Sequence, residues 1–265
     1  MDSYFVNKSV WITGASSGIG RALSIAFAQK GANCILSARS VDGLQDTLSM
    51  MENKDLHKIV PVDLTDEKQV ESAFEKAGRV DVLINNAGVS QRSITLNTEM
   101  DVYRRLMEIN YFSVVKLTKL VLPNMIKNGG GNIVTISSIA GKVGPPYRSG
   151  YAASKHALHG FFDALRAETS HKGMNILVVC PGFVNTPIAH NAFAGNGNKY
   201  NKPDTENVKG LSAEDLARDI LKAIEKKKTE AYFGKFEVNA IRMKRFFPSI
   251  LTKMLHKKYI NDPEK

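Results

Sequence analysis

A phenol, an ammonium and a hydroxyl lie close together in the middle of the chain. Tyr151 and Lys155 are four residues apart in an Ala-rich, amphipathic segment that extends to about Glu168, so a helix places both side chains on one face. A phenol has a reference pKa of about 10, which a neighbouring cation in a partly dry site lowers toward neutrality. The spacing therefore predicts an acid–base pair in which Lys155 lowers the pKa of Tyr151.

A serine hydroxyl lies at a second position that favours chemistry. Ser138 follows the apolar run 133–136, which predicts a buried strand. The carboxyl ends of strands in open α/β sheets border the crevice that binds ligands, so Ser138 can donate a hydrogen bond to a substrate carbonyl there. A Tyr-x-x-x-Lys pair alone occurs by chance in many helices, so the assignment depends on the elements that would position these groups.

Apolar strands and helical patterns alternate along the chain, which predicts an α/β fold. Strands are expected at 10–12, 33–38, 58–62, 80–84, 133–136, 176–180 and 231–233, and helices at 66–77, 99–125, 151–168 and 213–227. We therefore predict a Rossmann-type, doubly wound parallel sheet of about seven strands with helices on both faces. The length of 265 residues suits one core, so residues 1–240 are assigned to a single domain and residues 241–265 to a C-terminal extension.

The first predicted strand runs directly into a glycine-rich turn, Thr13-Gly14-Ala15-Ser16-Ser17-Gly18-Ile19-Gly20, and a helical pattern follows it. Strand, glycine turn and helix together are typical of a site that holds a pyrophosphate on a helix N-terminus. The spacing is G-x-x-x-G-x-G and not the G-x-G-x-x-G of the usual dinucleotide fingerprint. The alternative is a glycine turn that joins a strand to a helix and binds nothing.

These motifs occur in one order along the chain: the glycine turn, then Asn85-Asn86-Ala87-Gly88 after a strand, then Ser138 with Tyr151 and Lys155, then Pro181-Gly182. In residue types and spacing they resemble the signature of the short-chain dehydrogenase/reductase family, over residues 8–186. The resemblance implies a nicotinamide-dependent oxidoreductase that interconverts a carbonyl and an alcohol by hydride transfer, with Tyr151 as general acid–base. It also implies a homodimer or homotetramer formed through the helices at 99–125 and 151–168.

The resemblance further implies the roles of individual residues. Asn110 would hold a water that relays protons to Lys155 and would complete a catalytic set with Ser138 and Tyr151. Asp63 would meet the adenine, whereas Thr186 and the backbone near Val184 would bind the nicotinamide carboxamide. The cofactor contacts are, in full, Gly14, Ser16, Ser17, Gly18, Ile19, Gly20, Arg39, Asp63, Leu64, Asn86, Ala87, Gly88, Tyr151, Lys155, Pro181, Gly182, Val184 and Thr186.

The end of the second strand predicts which cofactor is used. Enzymes that use NAD place an Asp or Glu about twenty residues past the glycines, where it binds the ribose 2′-hydroxyl. This chain has Ser37-Ala38-Arg39-Ser40 there, and a guanidinium suits a 2′-phosphate. We therefore predict NADP(H). The alternatives are that Arg39 is an ordinary surface charge, or that Asp42 serves the ribose, although Asp42 better fits the first turn of the next helix.

Composition excludes several other classes of protein. Cys34 and Cys180 lie in apolar runs and are expected to be reduced core residues. No His, Cys and carboxylate set occurs at ligand spacing along the sequence, so no metal is predicted. The net charge of +10 comes without a nucleic-acid recognition motif, so no nucleic-acid partner is expected. With neither a signal peptide nor an apolar run long enough to span a bilayer, the protein is expected in the cytoplasm.

The C-terminal third contains a loop and a basic tail. Residues 189–211 are rich in Asn, Gly and Lys and are interpreted as a substrate loop or lid. Residues 226–265 carry eleven Lys or Arg against four Asp or Glu, and residues 241–265 combine basic residues with an apolar stripe at helical spacing. Such a helix suits peripheral contact with an anionic membrane. The alternative is a helix that covers its own domain or closes the substrate pocket.

The substrate is predicted to be a bulky apolar ketone, because a basic, aromatic-rich tail resembles the branch of the family that reduces steroids, retinoids and acyl-lipid ketones. Two alternatives remain open. One is an NAD-linked polyol or sugar dehydrogenase, against which the apolar Phe183, Val184 and Pro145-Pro146 argue. The other is a protein that binds NADP(H) and senses its redox state without turnover, in which the Ser138, Tyr151 and Lys155 set would be superfluous.

Overall fold

The structure is a computed structural model that describes residues 4–202 and 208–260. Within these residues seven strands form one parallel sheet: β1 (Ser9–Thr13), β2 (Asn33–Ser37), β3 (Lys58–Ile59), β4 (Val82–Asn85), β5 (Gly131–Ile136), β6 (Met174–Pro181) and β7 (Glu230–Phe233). Their order in the sheet is β3-β2-β1-β4-β5-β6-β7. The direction of winding reverses between β1 and β4, which opens a crevice at the carboxyl ends of these strands. The predicted doubly wound sheet is confirmed.

Nine α-helices are found in the described part of the chain. They are α1 (Gly18–Gln29), α2 (Val41–Ser49), α3 (Glu67–Ala77), α4 (Met100–Met107), α5 (Ser113–Lys127), α6 (Ser149–Thr169), α7 (Ala213–Glu225), α8 (Asn239–Phe246) and α9 (Pro248–Ile260). Polar residues stabilise the starts of two of these helices. Ser212 Oγ accepts a hydrogen bond from Asp215 N at the start of α7, and Asp42 lies in the first turn of α2, as expected.

Two cores cover the two faces of the sheet. Successive side chains of a strand point to opposite faces, so Val10 and Ile12 of β1 join one core and Trp11 joins the other. The first core contains residues of α1, α2 and α7, and the second contains residues of α3, α5 and α6. Strands buried on both faces explain the continuous apolar runs in the sequence.

Two elements differ from the sequence-based expectation. The helix expected at 99–125 is interrupted by a π-helical turn at Glu108–Phe112, which separates α4 from α5. Strand β3 is shorter than the expected 58–62, although Val60 N and Val62 N still donate hydrogen bonds to Leu36 O and Ala38 O at 2.9 and 3.1 Å. Both differences lie beside the crevice, where the backbone departs from regular geometry to present side chains.

Backbone hydrogen bonds at Phe193 hold the substrate loop against the domain. Phe193 N donates to Ser90 O at 2.9 Å, and Arg92 N donates to Phe193 O at 2.8 Å. Pro203 and Asp204, which belong to the predicted lid, lie outside the described residues. The role of residues 189–211 as a lid remains a prediction.

The described part of the C-terminal extension, residues 241–260, is mostly helical and lies against the domain. Leu251 of α9 is buried, and it borders the same cavity as Met243 of α8 and Leu255 of α9. The rings of Tyr259 and Tyr147 are 5.5 Å apart between centroids. This arrangement favours the alternative in which the extension covers its own domain. Among the described residues, no helix combines the length and the apolar character needed to cross a bilayer.

The hydroxyl of Thr13 joins β1 to the segment after β4. Thr13 Oγ1 accepts hydrogen bonds from Asn86 N at 3.0 Å and Ala87 N at 3.1 Å and donates to Ile84 O at 3.2 Å. Thr13→Val keeps the shape but leaves the N–H of Ala87 without this acceptor, so the free energy of unfolding in urea should fall by about 1–3 kcal/mol. Thr13→Ser, which keeps the hydroxyl, is the matched control. Equal stability of the two variants would contradict this account.

Candidate active site

The fold brings the phenol, the ammonium and the serine hydroxyl to one place. Ser138 follows the end of β5, whereas Tyr151 and Lys155 lie one turn apart on α6, which packs over β5 and β6. Lys155 Nζ donates a hydrogen bond to Ile136 O at 2.8 Å and lies 5.9 Å from the centre of the Tyr151 ring. Tyr151 and Lys155 are both buried, with 7 % and 4 % of their surface exposed. The predicted catalytic groups therefore form one water-poor cluster.

Burial is the largest influence on the pKa values of Tyr151 and Lys155. It raises the pKa of Tyr151, and a hydrogen bond with Ser138 and the charge of Arg148 offset only part of that effect. It also lowers the pKa of Lys155 from 10.5 to about 8, because removal from water disfavours the ammonium. In this structure the pKa of Tyr151 is therefore raised, because desolvation outweighs the hydrogen bond with Ser138 and the charge of Arg148. The effect of Lys155 on the pKa of Tyr151 remains a prediction.

The π-helical turn positions Asn110. This side chain is fully buried: its Oδ1 accepts from Val89 N at 2.9 Å, and its Nδ2 donates to Val89 O and to Ser154 Oγ, both at 2.9 Å. A Cβ placed on Gly88 would lie 3.0 Å from Asn110 Oδ1 and 3.4 Å from Lys155 Nζ. The amide is thus fixed beside the lysine by protein partners, and its role in a water relay remains a prediction.

The glycine turn has the geometry that the motif predicts. Gly14 and Gly18 have φ angles of +67° and +53°, and a Cβ on Gly14 would lie 2.9 Å from Ala87 Cα. Gly20 lies against the turn itself, since a Cβ there would overlap the carbonyl oxygen of Gly14. Asn86 Nδ2 donates to Thr13 O at 2.8 Å and fixes the turn to the segment after β4. The backbone can therefore approach a bound phosphate closely at the start of α1.

One cavity of about 890 Å³ joins the glycine turn to the catalytic cluster. This volume suits a small-molecule site. All of the predicted site residues line it except Gly20 and Asn110. Gly20 lies behind the turn, and Asn110 lies behind Gly88. The cavity also extends to residues of α8 and α9, which the sequence did not assign to the site.

One end of the cavity is bordered by the loops after β2 and β3. Arg39 is exposed there, and no hydrogen bond or ion pair to its guanidinium is found among residues 4–202 and 208–260. Asp63 Oδ1 accepts hydrogen bonds from the backbone and the hydroxyl of Thr65, at 2.9 and 2.8 Å. A free guanidinium beside the glycine turn is suited to bind a phosphate.

The other end is closed by the loop after β6. Val184 is buried, and Thr186 lies against the glycine turn, since a Cβ on Gly18 would be 3.1 Å from Thr186 Cγ2. Ser138 Oγ donates to Pro181 O at 3.4 Å, and Gly182 N donates to Phe233 O at 2.7 Å. The loop is thereby held between the catalytic serine and β7, where the nicotinamide contacts were expected.

Sequence reasoning missed Gln91, which is fully buried beside α6. Its Oε1 accepts hydrogen bonds from Gly150 N at 2.7 Å and Tyr151 N at 3.3 Å, and its Nε2 donates to Ser93 Oγ and Thr98 Oγ1, both at 3.1 Å. Gln91 therefore caps the N-terminus of the catalytic helix from a loop distant in sequence. No local motif marks this role, because capping residues are normally sought next to the helix that they cap.

A second cluster corrects the expectation that no His, Cys and carboxylate set exists. His159, Cys180 and Glu230, from α6, β6 and β7, place their donor atoms within 4.8 Å of one another. Such a set could hold a metal ion, but Lys142 Nζ lies 2.7 Å from Glu230 Oε1 and already supplies a positive charge. Cys34 and Cys180 are both buried and free, as expected. Burial, reinforced by the charge of Glu230, raises the pKa of the Cys180 thiol to about 12.

The second cluster anchors the segment that carries Ser138. His159 Nε2 lies 3.1 Å from the hydroxyl of Ser137, and His159 Nδ1 lies 3.1 Å from Glu230 Oε1. Lys142, at the end of the same short segment, binds Glu230 directly. The segment from Ser137 to Lys142 is therefore tied at both ends to one carboxylate on β7.

Comparison with known proteins identifies relatives over most of the chain. The family model for short chain dehydrogenase matches residues 8–197. "Dehydrogenase/reductase SDR family member 7B" of Danio rerio is 41% identical over 261 residues, which cover 94% of this chain and 84% of that protein. A short chain dehydrogenase from Burkholderia cenocepacia, solved in complex with NADP, superposes with a TM-score of 0.80 at 25% identity, covering 94% of this chain and 98% of that one.

A second solved structure shows the same fold with the other cofactor. The short chain dehydrogenase/reductase from Burkholderia phymatum, solved in complex with NAD, superposes with a TM-score of 0.82 at 23% identity, covering 93% of this chain and 95% of that one. The similar structures therefore include one complex with each nicotinamide dinucleotide.

Glu230 should make the free energy of unfolding depend on pH in the acid range. Burial alone would raise the pKa of its carboxyl, but hydrogen bonds from His159, Lys142 and Tyr232 outweigh burial and lower the pKa from 4.5 to about 2. A carboxyl whose pKa is lower in the folded state stabilises the fold at pH values above its pKa in the unfolded state. This contribution is lost as the pH falls through its pKa in the folded state. The free energy of unfolding should therefore differ most between wild type and Glu230→Gln above pH 4.5, and this difference should shrink toward pH 2.

Urea unfolding of both proteins across this pH range measures the effect. Glu225→Gln changes an exposed carboxyl at the end of α7 and is the matched control, expected to follow wild type. A difference between wild type and Glu230→Gln that stays constant with pH would contradict the assigned network.

Proposed function

The chain belongs to the short-chain dehydrogenase family, and from this premise we propose that it is an NADP(H)-dependent oxidoreductase that interconverts a carbonyl and a secondary alcohol. The observation that carries the proposal is one continuous cavity. The glycine turn and Arg39 lie at one end of this cavity. Ser138 and the buried Tyr151 and Lys155 lie at the other end.

The residues of the cluster divide the chemistry between them. The nicotinamide supplies or accepts a hydride when it is bound. Ser138 Oγ donates a hydrogen bond to the substrate oxygen, and Tyr151 gives that oxygen its proton in reduction or removes the proton in oxidation. The raised pKa of Tyr151 keeps the phenol protonated at neutral pH, which suits a proton donor. Lys155 is mostly charged at pH values below its pKa of about 8. Its ammonium stabilises the phenolate that Tyr151 becomes after giving up its proton, and it binds the ribose of the nicotinamide.

The preference for NADP(H) is argued from the end of β2. Arg39 borders the cavity, and the positions beside it hold Ala38 and Ser40 instead of a carboxylate. Asp42 is not among the residues that line the cavity. A guanidinium without an acidic neighbour in the cavity at this strand end favours the 2′-phosphate of NADP(H) over the 2′-hydroxyl of NAD(H).

The substrate class is argued from the part of the cavity around Tyr151. The side chains there are mostly apolar and come from the loops after β5 and β6 and from α8 and α9: Val143, Pro145, Ile188, Phe193, Met243, Leu251 and Leu255. Arg148, Asn191 and Glu237 also border the cavity, but the predominance of apolar side chains favours an apolar substrate over a polyol or sugar. We therefore assign a bulky apolar ketone, or the corresponding alcohol, as the substrate. The expected location is the cytoplasm, and the expected assembly is a homodimer or homotetramer.

Tyr151→Phe tests the catalytic assignment. Removing the hydroxyl removes the proton donor, so kcat with NADPH and an apolar ketone should fall at least about 100-fold. The dissociation constant of NADPH, measured by fluorescence titration, should change little, because the ring remains in place. Substantial remaining turnover would overturn the assignment. NADPH binding without turnover in the wild-type protein, across ketones from small to steroid-sized, would favour a redox sensor.

Arg39→Asp tests the cofactor preference. The carboxylate should repel a 2′-phosphate and accept hydrogen bonds from a 2′-hydroxyl, so the NADPH/NADH ratio of kcat/KM should fall by at least about tenfold. Lys30→Asp makes the same change of charge at an exposed site on the far end of α1 and should leave the ratio as in wild type. An unchanged ratio in Arg39→Asp would show that another group selects the cofactor.

A further inference from the structure

Large apolar side chains are exposed to water in and just before the C-terminal helices. Phe236, Phe246, Phe247, Ile250 and Met254 have 78 %, 70 %, 59 %, 53 % and 55 % of their surface exposed, and we call them the C-terminal rim. Scattered exposed apolar residues are normal, but a concentration of aromatic ones in one segment marks an interaction surface.

The C-terminal rim continues into the cavity. Phe236 and Met254 are more than half exposed and also line the cavity, and Met243, Leu251 and Leu255 line it farther in. Ile250 and Met254 are one turn apart on α9, and Leu251 and Leu255 form the neighbouring row that faces the domain. An apolar surface therefore leads from the outside of the molecule to the catalytic cluster.

The sequence around the C-terminal rim is strongly basic. Residues 235–260 contain seven Lys or Arg and a single acidic residue, Glu237. On α9, Lys253 and Lys257 are three residues from Ile250 and Met254 respectively, so they flank the exposed apolar row on the side away from the domain. A second copy of the chain would present the same basic surface across a two-fold contact, and this repulsion disfavours self-association through the C-terminal rim.

We propose that the C-terminal rim docks on an anionic membrane and that the apolar substrate enters the cavity from the lipid. The aromatic side chains would lie at the level of the headgroups while the lysines meet acidic lipids. This inference rests on the proposed function only for the identity of what enters, since docking itself needs no turnover. It also gives the C-terminal helices two faces with different tasks, one lining the cavity and one meeting the bilayer.

Flotation of the full-length chain with vesicles tests the proposal. The chain should float with vesicles of phosphatidylcholine and phosphatidylserine, less with phosphatidylcholine alone, and less again at high salt. Phe246→Ser with Phe247→Ser, and separately Lys253→Gln with Lys257→Gln, should each weaken binding about tenfold or more. None of these four residues lines the cavity, so turnover of a short, water-soluble aldehyde should remain that of wild type.

Matched controls change equally exposed residues elsewhere. Met50→Ser with Leu56→Ser removes two apolar side chains that are 55 % and 54 % exposed, and Lys119→Gln with Lys127→Gln removes two exposed charges on α5. Both should float as wild type does. Equal flotation of all variants, or none with acidic vesicles, would overturn the proposal. Self-association or capture of an acidic protein that is lost only in the C-terminal rim variants, without vesicle binding, would also overturn it.

An active chain that fails to float overturns docking alone. A chain that floats but turns over neither the soluble aldehyde nor a vesicle-embedded ketone overturns the proposed function alone. If the chain both docks on vesicles and turns over substrate, the C-terminal rim variants should lose activity on the vesicle-embedded ketone and keep it on the aldehyde.

Discussion

The buried ammonium of Lys155 is the constraint on which the rest of the site depends. An unpaired charge away from water is costly, so its surroundings must supply acceptors. The carbonyl of Ile136 at the end of β5 supplies one at 2.8 Å, which requires α6 to lie over that strand end. Gly88 packs closely beside the ammonium, since a Cβ there would lie 3.0 Å from Asn110 Oδ1 and 3.4 Å from Lys155 Nζ. The lysine thus fixes how α6, β5 and the loop after β4 meet.

The acid–base groups are held by contacts between segments distant in sequence. Gln91 caps α6 from the loop after β4, and Asn110 reaches the same loop from a π-helical turn. Glu230 on β7 fixes both ends of the segment that carries Ser138. These contacts make the positions of Ser138, Tyr151 and Lys155 interdependent, as the proposed catalytic role requires of a site whose geometry is fixed before substrate binds.

The C-terminal helices α8 and α9 form an apolar part of the cavity wall. Met243 of α8 and Leu251 and Leu255 of α9 border the cavity that Tyr151 also lines. An apolar wall strengthens electrostatic interactions near Tyr151 and Lys155, and it supports the proposal of an apolar substrate. The same helices carry most of the basic residues of the chain's end, so the substrate wall and the charged exterior come from one segment.

The sequence by itself determined the sheet, the glycine turn and the one-turn spacing of Tyr151 and Lys155, because strand alternation, turn glycines and helical periodicity are encoded within short windows. Almost all of the site residues that it predicted line the cavity, which many other residues line as well. Only the tertiary structure decided that Gln91 caps α6, that His159, Cys180 and Glu230 meet, and that burial raises the pKa of Tyr151. Long-range contacts and desolvation depend on which distant segments the parallel sheet brings together, and no local pattern contains that information.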